Sequence, residues 1–226
     1  MFSYFTINTV AETICFLIAL LCLAKDANLL WRSMILFLFL TCITEMLGIY
    51  FKKIFLADMA HQHQNVWLYN ILLIFQAIFI SLMFQSFLNK YIRSKPIIIG
   101  GLLLLAAIYL YEISAHGIFQ YNEKTNTVML VLFVIYSLLF YYHLIKDDEY
   151  TNLLHLASFW WVGGLFLFYF GSTAANIFID SLSQQKGLSV KFLSSFIFKM
   201  LNVLLYSFWS YSFICRQRLT KTSYSK

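Results

Sequence analysis

The chain has 226 residues, of which 61% are apolar, 19% aromatic and 12% charged, whereas soluble domains carry about 25% charged residues. This composition excludes a soluble globular domain, a disordered chain and a disulfide-rich scaffold, and it predicts an integral membrane protein. The net charge of +6 does not indicate nucleic-acid binding, because the basic residues are spread over short connections rather than gathered in one patch.

Seven apolar runs follow one another along the chain, and each approaches the about 20 residues that a membrane-spanning helix needs. Because the runs are continuous rather than alternating, and because lipid accommodates only helices and closed barrels, they predict helices. The predicted fold is therefore all-α, a polytopic bundle of seven transmembrane helices in one integral membrane domain over residues 1–226. The runs cover residues 7–24, 31–51, 66–88, 96–112, 125–145, 156–180 and 191–214.

Lysine and arginine residues predict the orientation of these spans. If the N-terminus is outside, ten of the sixteen basic residues lie in cytoplasmic segments and five in outer segments, with Lys199 inside the last span. The positive-inside rule therefore predicts an outer N-terminus and a cytoplasmic C-terminus. Trp31, Trp160 and Trp161 near the predicted inner edge are typical of interfacial aromatic belts.

Ionisable side chains inside spans are the strongest indication of a site. Such groups are costly in lipid and usually face the interior of a helix bundle. Glu12, Glu45 and Lys199 lie roughly 7 to 12 Å from the outer ends of their spans, and polar residues of other spans share this layer. The predicted ligand-binding residues are Glu12, Glu45, Asn70, Gln76, Asn176, Lys199 and Asn202.

This polar layer has two interpretations. In the first, it lines an outward-facing pocket, where one carboxylate pairs with Lys199 and the other is protonated or binds a cation. In the second, it is structural, and an ion pair and amides hold the helices together. The fifth run is nearly featureless from Val128 to Phe140, so we expect it to face lipid or a partner. Gly100–Gly101 and Gly163–Gly164 predict close helix contacts.

Histidines offer a weaker alternative site. His61, His63 and His116 lie in predicted outer loops with Asp58 and Glu112, and such side chains can bind a metal. Histidines in loops are more often only solvated, and the cysteines lack C-x-x-C spacing. We therefore predict neither a metal nor another cofactor.

Two short aromatic segments carry a family resemblance. They are Asn65-Val66-Trp67-Leu68-Tyr69-Asn70, followed by Phe75-Gln76, and Phe159-Trp160-Trp161, followed by Phe168-Tyr169-Phe170-Gly171-Ser172. Together they resemble a family of small uncharacterised seven-helix bacterial inner-membrane proteins. The resemblance implies a multi-pass protein of the inner (plasma) membrane and a stand-alone module that works with a separate signalling protein. It gives no residue a role, because the family has no known activity.

The sequence therefore predicts a sensory or accessory module that binds a small ligand, a cation or a lipid headgroup from outside. A membrane or cytoplasmic signalling partner is expected, because the short connections and the 11 residues after Cys215 leave no room for an output domain. The alternatives are a membrane-embedded enzyme acting on a lipid or isoprenoid, and a small cation or proton transporter. We expect catalysis less, because no nucleophile, base and metal share one layer.

Overall fold

The computed structural model describes residues 6–55, 65–147, 152–183 and 188–224. Within these ranges the chain forms seven α-helices, one short 3-10 turn at Leu153–His155 and no strand, which confirms the predicted all-α fold. The helices are α1 (Ile7–Leu23), α2 (Leu29–Phe55), α3 (Val66–Leu88), α4 (Lys95–His116), α5 (Glu123–Lys146), α6 (Ala157–Ser183) and α7 (Leu188–Tyr224).

Six of the described helices, α2 to α7, are long and apolar enough to cross a membrane, and α1 is an apolar helix of 17 residues. The protein is therefore a multi-pass α-helical membrane protein. Every helix begins within three residues of its predicted start. Several helices continue past the predicted end, and α7 does so by ten residues, because polar residues extend a helix beyond its apolar segment.

Local sequence signals account for several helix ends. At the start of α1, the Thr6 hydroxyl accepts a hydrogen bond from the Thr9 backbone N–H at 3.2 Å, and the Thr9 hydroxyl accepts one from the Thr6 N–H at 2.8 Å. This reciprocal arrangement is a capping box. At the start of α2, the Asn28 side chain accepts from the Leu30 N–H at 2.9 Å. α4 ends at His116 and is followed by Gly117, whose φ of 76° favours glycine.

Two compact units divide the described chain: the first contains Leu36–Leu132, and the second joins Phe5–Ile35 to Phe133–Lys226. In the first unit, the Phe37 ring of α2 stacks on Phe79 and Phe75 of α3, with ring centroids 4.6 Å and 5.8 Å apart. Tyr69 of α3 lies so close to Gly48 of α2 that a Cβ atom at this glycine would overlap the tyrosine hydroxyl. Aromatic rings and one glycine thus bring α2 and α3 together.

In the second unit, α6 packs closely on α7. A Cβ atom at Gly164 would lie 2.9 Å from the Phe208 Cβ and 3.3 Å from the Leu205 carbonyl oxygen. The Trp161 and Trp209 indoles stack with centroids 5.7 Å apart and planes 7° apart. The close contact predicted for Gly163–Gly164 is confirmed.

The close contact predicted for Gly100 is wrong, because a Cβ atom there would meet nothing within 4 Å. This contrast between two helical glycines gives a matched test. We expect Gly164→Ala to lower the free energy of unfolding by about 1 to 3 kcal/mol, because α7 backbone must move to accept the methyl group. Gly100→Ala should be neutral or stabilising by up to about 1 kcal/mol, since alanine favours helices. Reversible unfolding in mixed micelles measures both, and equal effects would contradict the prediction.

The burial of aromatic side chains adds to two expectations from composition. Trp161 and Trp31 are buried within the second unit, and their place at the membrane interface stays a prediction. α5 does not simply face lipid: Phe133, Tyr136 and Phe140 are buried, whereas the opposite face is exposed. Both faces of α5 are apolar, so the sequence pattern could not distinguish them.

Candidate functional site

The seven predicted ligand-binding residues are divided between the two units. Glu45, Asn70 and Gln76 belong to the first unit, and the other four, Glu12, Asn176, Lys199 and Asn202, to the second. Their convergence in a single pocket stays a prediction.

The seven side chains differ in burial. Glu12 and Asn70 are buried, Glu45, Gln76 and Asn202 are half-buried, and Asn176 and Lys199 are exposed. Asn202 donates a hydrogen bond to the carbonyl of Phe198 in its own helix at 2.9 Å. Farther along α7, Tyr206 and Trp209 are buried.

Asn70 holds the connection between α4 and α5. Its side-chain Nδ2 donates to the carbonyl oxygens of Ile118 and Gln120, both at 2.8 Å, and its Oδ1 accepts from the Asn122 backbone N–H at 3.2 Å. Asn70 is 0% exposed. Both of its amide donors are thus engaged with backbone, and the side chain replaces the hydrogen bonds that this loop cannot make internally.

Glu112 of α4 caps the first turn of α5. Its Oε1 accepts from the Lys124 backbone N–H at 2.9 Å, and its Oε2 accepts from the Thr125 N–H at 2.8 Å and the Thr125 hydroxyl at 2.6 Å. The first N–H groups of a helix have no partner inside the helix, and a carboxylate there also interacts favourably with the helix dipole. Glu112 therefore ties the end of α4 to the start of α5.

A polar cavity of about 670 Å³ opens beside this connection, entirely within the first unit. Its walls combine charged, amide and aromatic side chains from the end of α4, the connection and the start of α5. The Lys124 ammonium lies 5.5 Å from the centre of the Tyr111 ring. We call this space the polar cavity; the lining residues used below are Glu112, His116, Gln120, Tyr121, Glu123 and Lys124.

A second space, of about 570 Å³, lies between α3 and α4 in the same unit. Apart from Thr125 and the hydroxyl of Tyr109, its lining is apolar. The small side chains of Ala77 on α3 and Ala106 on α4 contribute to its width. We call it the apolar groove; its lining runs on α3 from Leu73 to Ile78 and on α4 from Ile99 to Leu110.

A hydrogen bond links the lining of the polar cavity to that of the apolar groove. Glu112 lines the cavity and Thr125 lines the groove, and these two side chains are hydrogen-bonded at 2.6 Å. A polar space near the end of α4 and an apolar space along the same helix are therefore linked at this hydrogen bond.

An ion pair organises the second unit. The Arg216 guanidinium of α7 donates two hydrogen bonds to Asp26, from Nε to Oδ2 at 2.7 Å and from Nη2 to Oδ1 at 3.1 Å. The Asn28 backbone N–H also donates to Oδ1, at 2.8 Å, and the guanidinium lies over the Trp31 ring with 5.5 Å to its centre. The Asp26 side chain is 1% exposed, so this is a buried pair.

The alternative metal site gains no support from the described side chains. Among them, no group of three His, Cys, Asp or Glu residues lies close enough to hold a metal ion. His61, His63 and Asp58 lie outside the described residues. Glu112, which the sequence placed in this set, has its carboxylate directed at α5 instead.

Three structural roles in the geometry could not be predicted from the sequence. The sequence gives no signal for the ion pair of Asp26, because its partner Arg216 lies 190 positions away. Glu112 was interpreted only as a metal ligand, and Asn70 only as a ligand-binding amide. Gly117, which ends α4 shortly after Glu112, was the available signal for a tight connection that needs side-chain hydrogen bonds.

Comparison with known proteins adds no relative. No family model matches the chain, and no curated protein or solved structure shows significant similarity to it. No residue role therefore comes to this chain from another protein, and its site is defined by geometry alone.

Proposed function

We propose that the protein is a sensory or accessory module of the bacterial inner (plasma) membrane. It spans the membrane seven times with its N-terminus outside, binds a ligand at the polar cavity on the outer side, and acts through a signalling partner. The observation that carries this proposal is the polar cavity at one end of an apolar helical unit.

The charge distribution supports the outward placement. With an outer N-terminus, the connection between α4 and α5 is an outer segment, and most basic residues lie in the cytoplasmic segments, as the positive-inside rule requires. The seventh span is α1, whose 17 residues extend roughly 25 Å and stand at the lower limit of about 17 residues for a transmembrane helix.

The chemistry of the cavity supports ligand binding. Its volume of about 670 Å³ falls within the roughly 300 to 1,000 Å³ of small-molecule sites. Exposed Lys124 and Glu123 offer one positive and one negative group, and Gln120 offers an amide. The hydrogen bonds made by Asn70 and Glu112 fix the backbone of the wall, so the site needs little ordering when a ligand binds.

Glu112 provides a route from the cavity to the rest of the chain. It lines the cavity and caps α5, and α5 extends from there over 24 residues, roughly 36 Å. A ligand can shift α5 only by binding two arrangements of its first turn with different affinity. Lys124, which belongs to that turn and faces the cavity, is the group through which a ligand would do so.

A complementation experiment in the source bacterium tests this function. A deletion strain receives the wild-type gene or a variant, and transcript profiles are compared at equal membrane abundance. We expect Lys124→Gln and His116→Ala to leave the profile of the deletion strain unrestored, because both remove exposed groups that line the cavity while the hydrogen bonds made by Asn70 and Glu112 stay in place. Lys95→Gln, an exposed lysine at the opposite end of α4, is the matched control and should restore the profile.

The same strains test the remaining parts of the proposal. Glu12→Gln, Glu45→Gln and Lys199→Met should reduce restoration if the predicted polar layer belongs to the binding machinery. In intact cells, Gln120→Cys should react with a membrane-impermeant maleimide if the cavity faces outward. Full restoration by both Lys124→Gln and His116→Ala would overturn the sensing role, and labelling only after permeabilisation would overturn the orientation.

A further inference from the structure

We infer that the ligand is a zwitterionic phospholipid of the surrounding bilayer, with one acyl chain in the apolar groove and its headgroup in the polar cavity. The inference rests on the proposed function and names the ligand class of the same site. Its basis is the presence of two spaces of opposite polarity in one unit, joined at the Glu112–Thr125 hydrogen bond.

The dimensions of the groove fit one acyl chain. On α4 its lining extends from Ile99 to Leu110, which is roughly 16 Å along the helix. This length is close to half of the about 30 Å hydrocarbon core, the depth of one leaflet. The groove opens between helices long and apolar enough to cross a membrane, so acyl chains are the molecules that surround it.

The lining of the groove also suits a hydrocarbon chain. Apart from Tyr109 and Thr125, every lining side chain is aliphatic. A flexible acyl chain can therefore follow the groove along α3 and α4 without leaving a polar group unpaired.

The position of the polar groups fits a headgroup. The groove ends at Thr125, and Lys124 and Glu123 precede it directly in the first turn of α5. The Glu112 carboxylate is occupied by three hydrogen bonds from α5, which leaves Glu123 as the anionic group for a ligand ammonium. Lys124 supplies the cation for a phosphate. A headgroup with one phosphate and one ammonium matches Lys124 and Glu123. A purely anionic headgroup would instead place its negative charge beside the Glu123 carboxylate, and the two like charges would repel each other.

Photolabelling of the full-length protein tests the inference. The protein is reconstituted in vesicles of phosphatidylethanolamine and phosphatidylglycerol that contain a trace of phosphatidylethanolamine with a diazirine in one acyl chain. After illumination, mass spectrometry of peptides locates the adducts. We expect them on the groove lining of α3 and α4, and we expect Ala106→Trp to reduce them about tenfold, because the indole fills the groove.

Two neighbouring alanines provide the control. Ala106 lines the groove, whereas Ala107 is also exposed but does not line it. Ala107→Trp should therefore leave labelling of the groove unchanged. Equal labelling of Ala106→Trp and wild type, or equal loss in both variants, would overturn the acyl-chain site. Should Ala106→Trp fail to fold, adducts scattered over the exposed helix faces of the wild type would overturn it as well.

A second probe tests the headgroup. A phosphatidylglycerol with the same diazirine-bearing chain should label the groove about fivefold less than the phosphatidylethanolamine probe, a difference of about 1 kcal/mol. Glu123→Gln should remove this difference, because it removes the anionic group that favours the ammonium. Equal labelling of wild type by both probes would overturn the zwitterionic preference.

The outcomes separate this inference from the proposed function. If groove labelling fails while Lys124→Gln still loses complementation, the sensing role stands with a different ligand. If labelling succeeds while all cavity variants complement fully, the lipid site stands and the sensing role is overturned.

Discussion

Replacing Asp26 with asparagine is expected to lower the free energy of unfolding by about 3 kcal/mol, the low end of the cost of breaking a buried ion pair. Asparagine keeps the shape and one acceptor oxygen, but it leaves the Arg216 guanidinium without the charge that balances it. The low end applies because the Arg216 side chain is 25% exposed, whereas the Asp26 side chain is 1% exposed. Arg216→Met should lower the free energy of unfolding by a similar amount, because it leaves the buried Asp26 carboxylate without its cationic partner.

Reversible unfolding in mixed micelles, followed by tryptophan fluorescence, measures this loss. Lys25→Gln, which removes an exposed charge next to Asp26 in sequence, is the control and should change the free energy by less than about 0.5 kcal/mol. An Asp26→Asn variant as stable as Lys25→Gln would show that the ion pair does not stabilise the second unit.

The difference in unfolding free energy between wild type and Asp26→Asn should depend on pH. Burial by itself raises the pKa of Asp26, but the Arg216 side chain and the Asn28 backbone N–H donate hydrogen bonds that lower this pKa below its ordinary range. The carboxylate therefore stabilises the fold fully above the unfolded value of about 3.9, and this contribution is lost as the pH falls through the folded pKa. Wild type and Asp26→Asn should differ most near neutrality and converge below about pH 4.

Asn70→Ala is expected to destabilise the first unit by about 3 kcal/mol. The change leaves the carbonyls of Ile118 and Gln120 and the N–H of Asn122 without the Asn70 amide, and each stranded buried group costs about 1 to 3 kcal/mol before water relaxes the site. The expected destabilisation lies at the lower end of the sum for these three groups, because the loop is near one end of its helices and solvent can reach part of it.

Asn65→Ala is the matched control for this change. Asn65 precedes α3, and its side chain makes no capping hydrogen bond, so we expect a loss below about 0.5 kcal/mol. Hydrogen exchange gives a local readout, since the Asn122 amide should lose protection in Asn70→Ala and keep it in Asn65→Ala. Unchanged protection of Asn122 in Asn70→Ala would contradict the assigned role.

The helices could be predicted from sequence because hydropathy reports directly on which segments can cross a membrane. The same apolar composition concealed how the helices pack. On α5, Val131 and Phe133 are both apolar, yet the first is exposed and the second buried, because lipid and protein interior accept the same side chains. The burial of Trp161 could not be predicted for the same reason, since an indole suits an interface and a core equally well.

The polar contacts could be predicted only in part. Asn70 stood out as an amide in an apolar run, but the sequence could not show that its partners would be backbone groups of a loop about 50 positions later. Glu112 stood out as a carboxylate near His116, which favoured a metal site over a helix cap. Asp26 and Arg216 resembled ordinary loop charges, because their pairing depends on how α1 and α7 pack.

The length of α7 has a mechanical consequence. Its 37 residues extend roughly 55 Å, more than the about 40 to 45 Å of a whole bilayer with its headgroups. The ion pair with Asp26 anchors the helix at Arg216, and the eight helical residues from Gln217 to Tyr224 continue for roughly 12 Å beyond this anchored position. About two helical turns of α7 therefore continue past the anchored position, and because they belong to the same helix, a rotation of α7 about its axis would turn them with it.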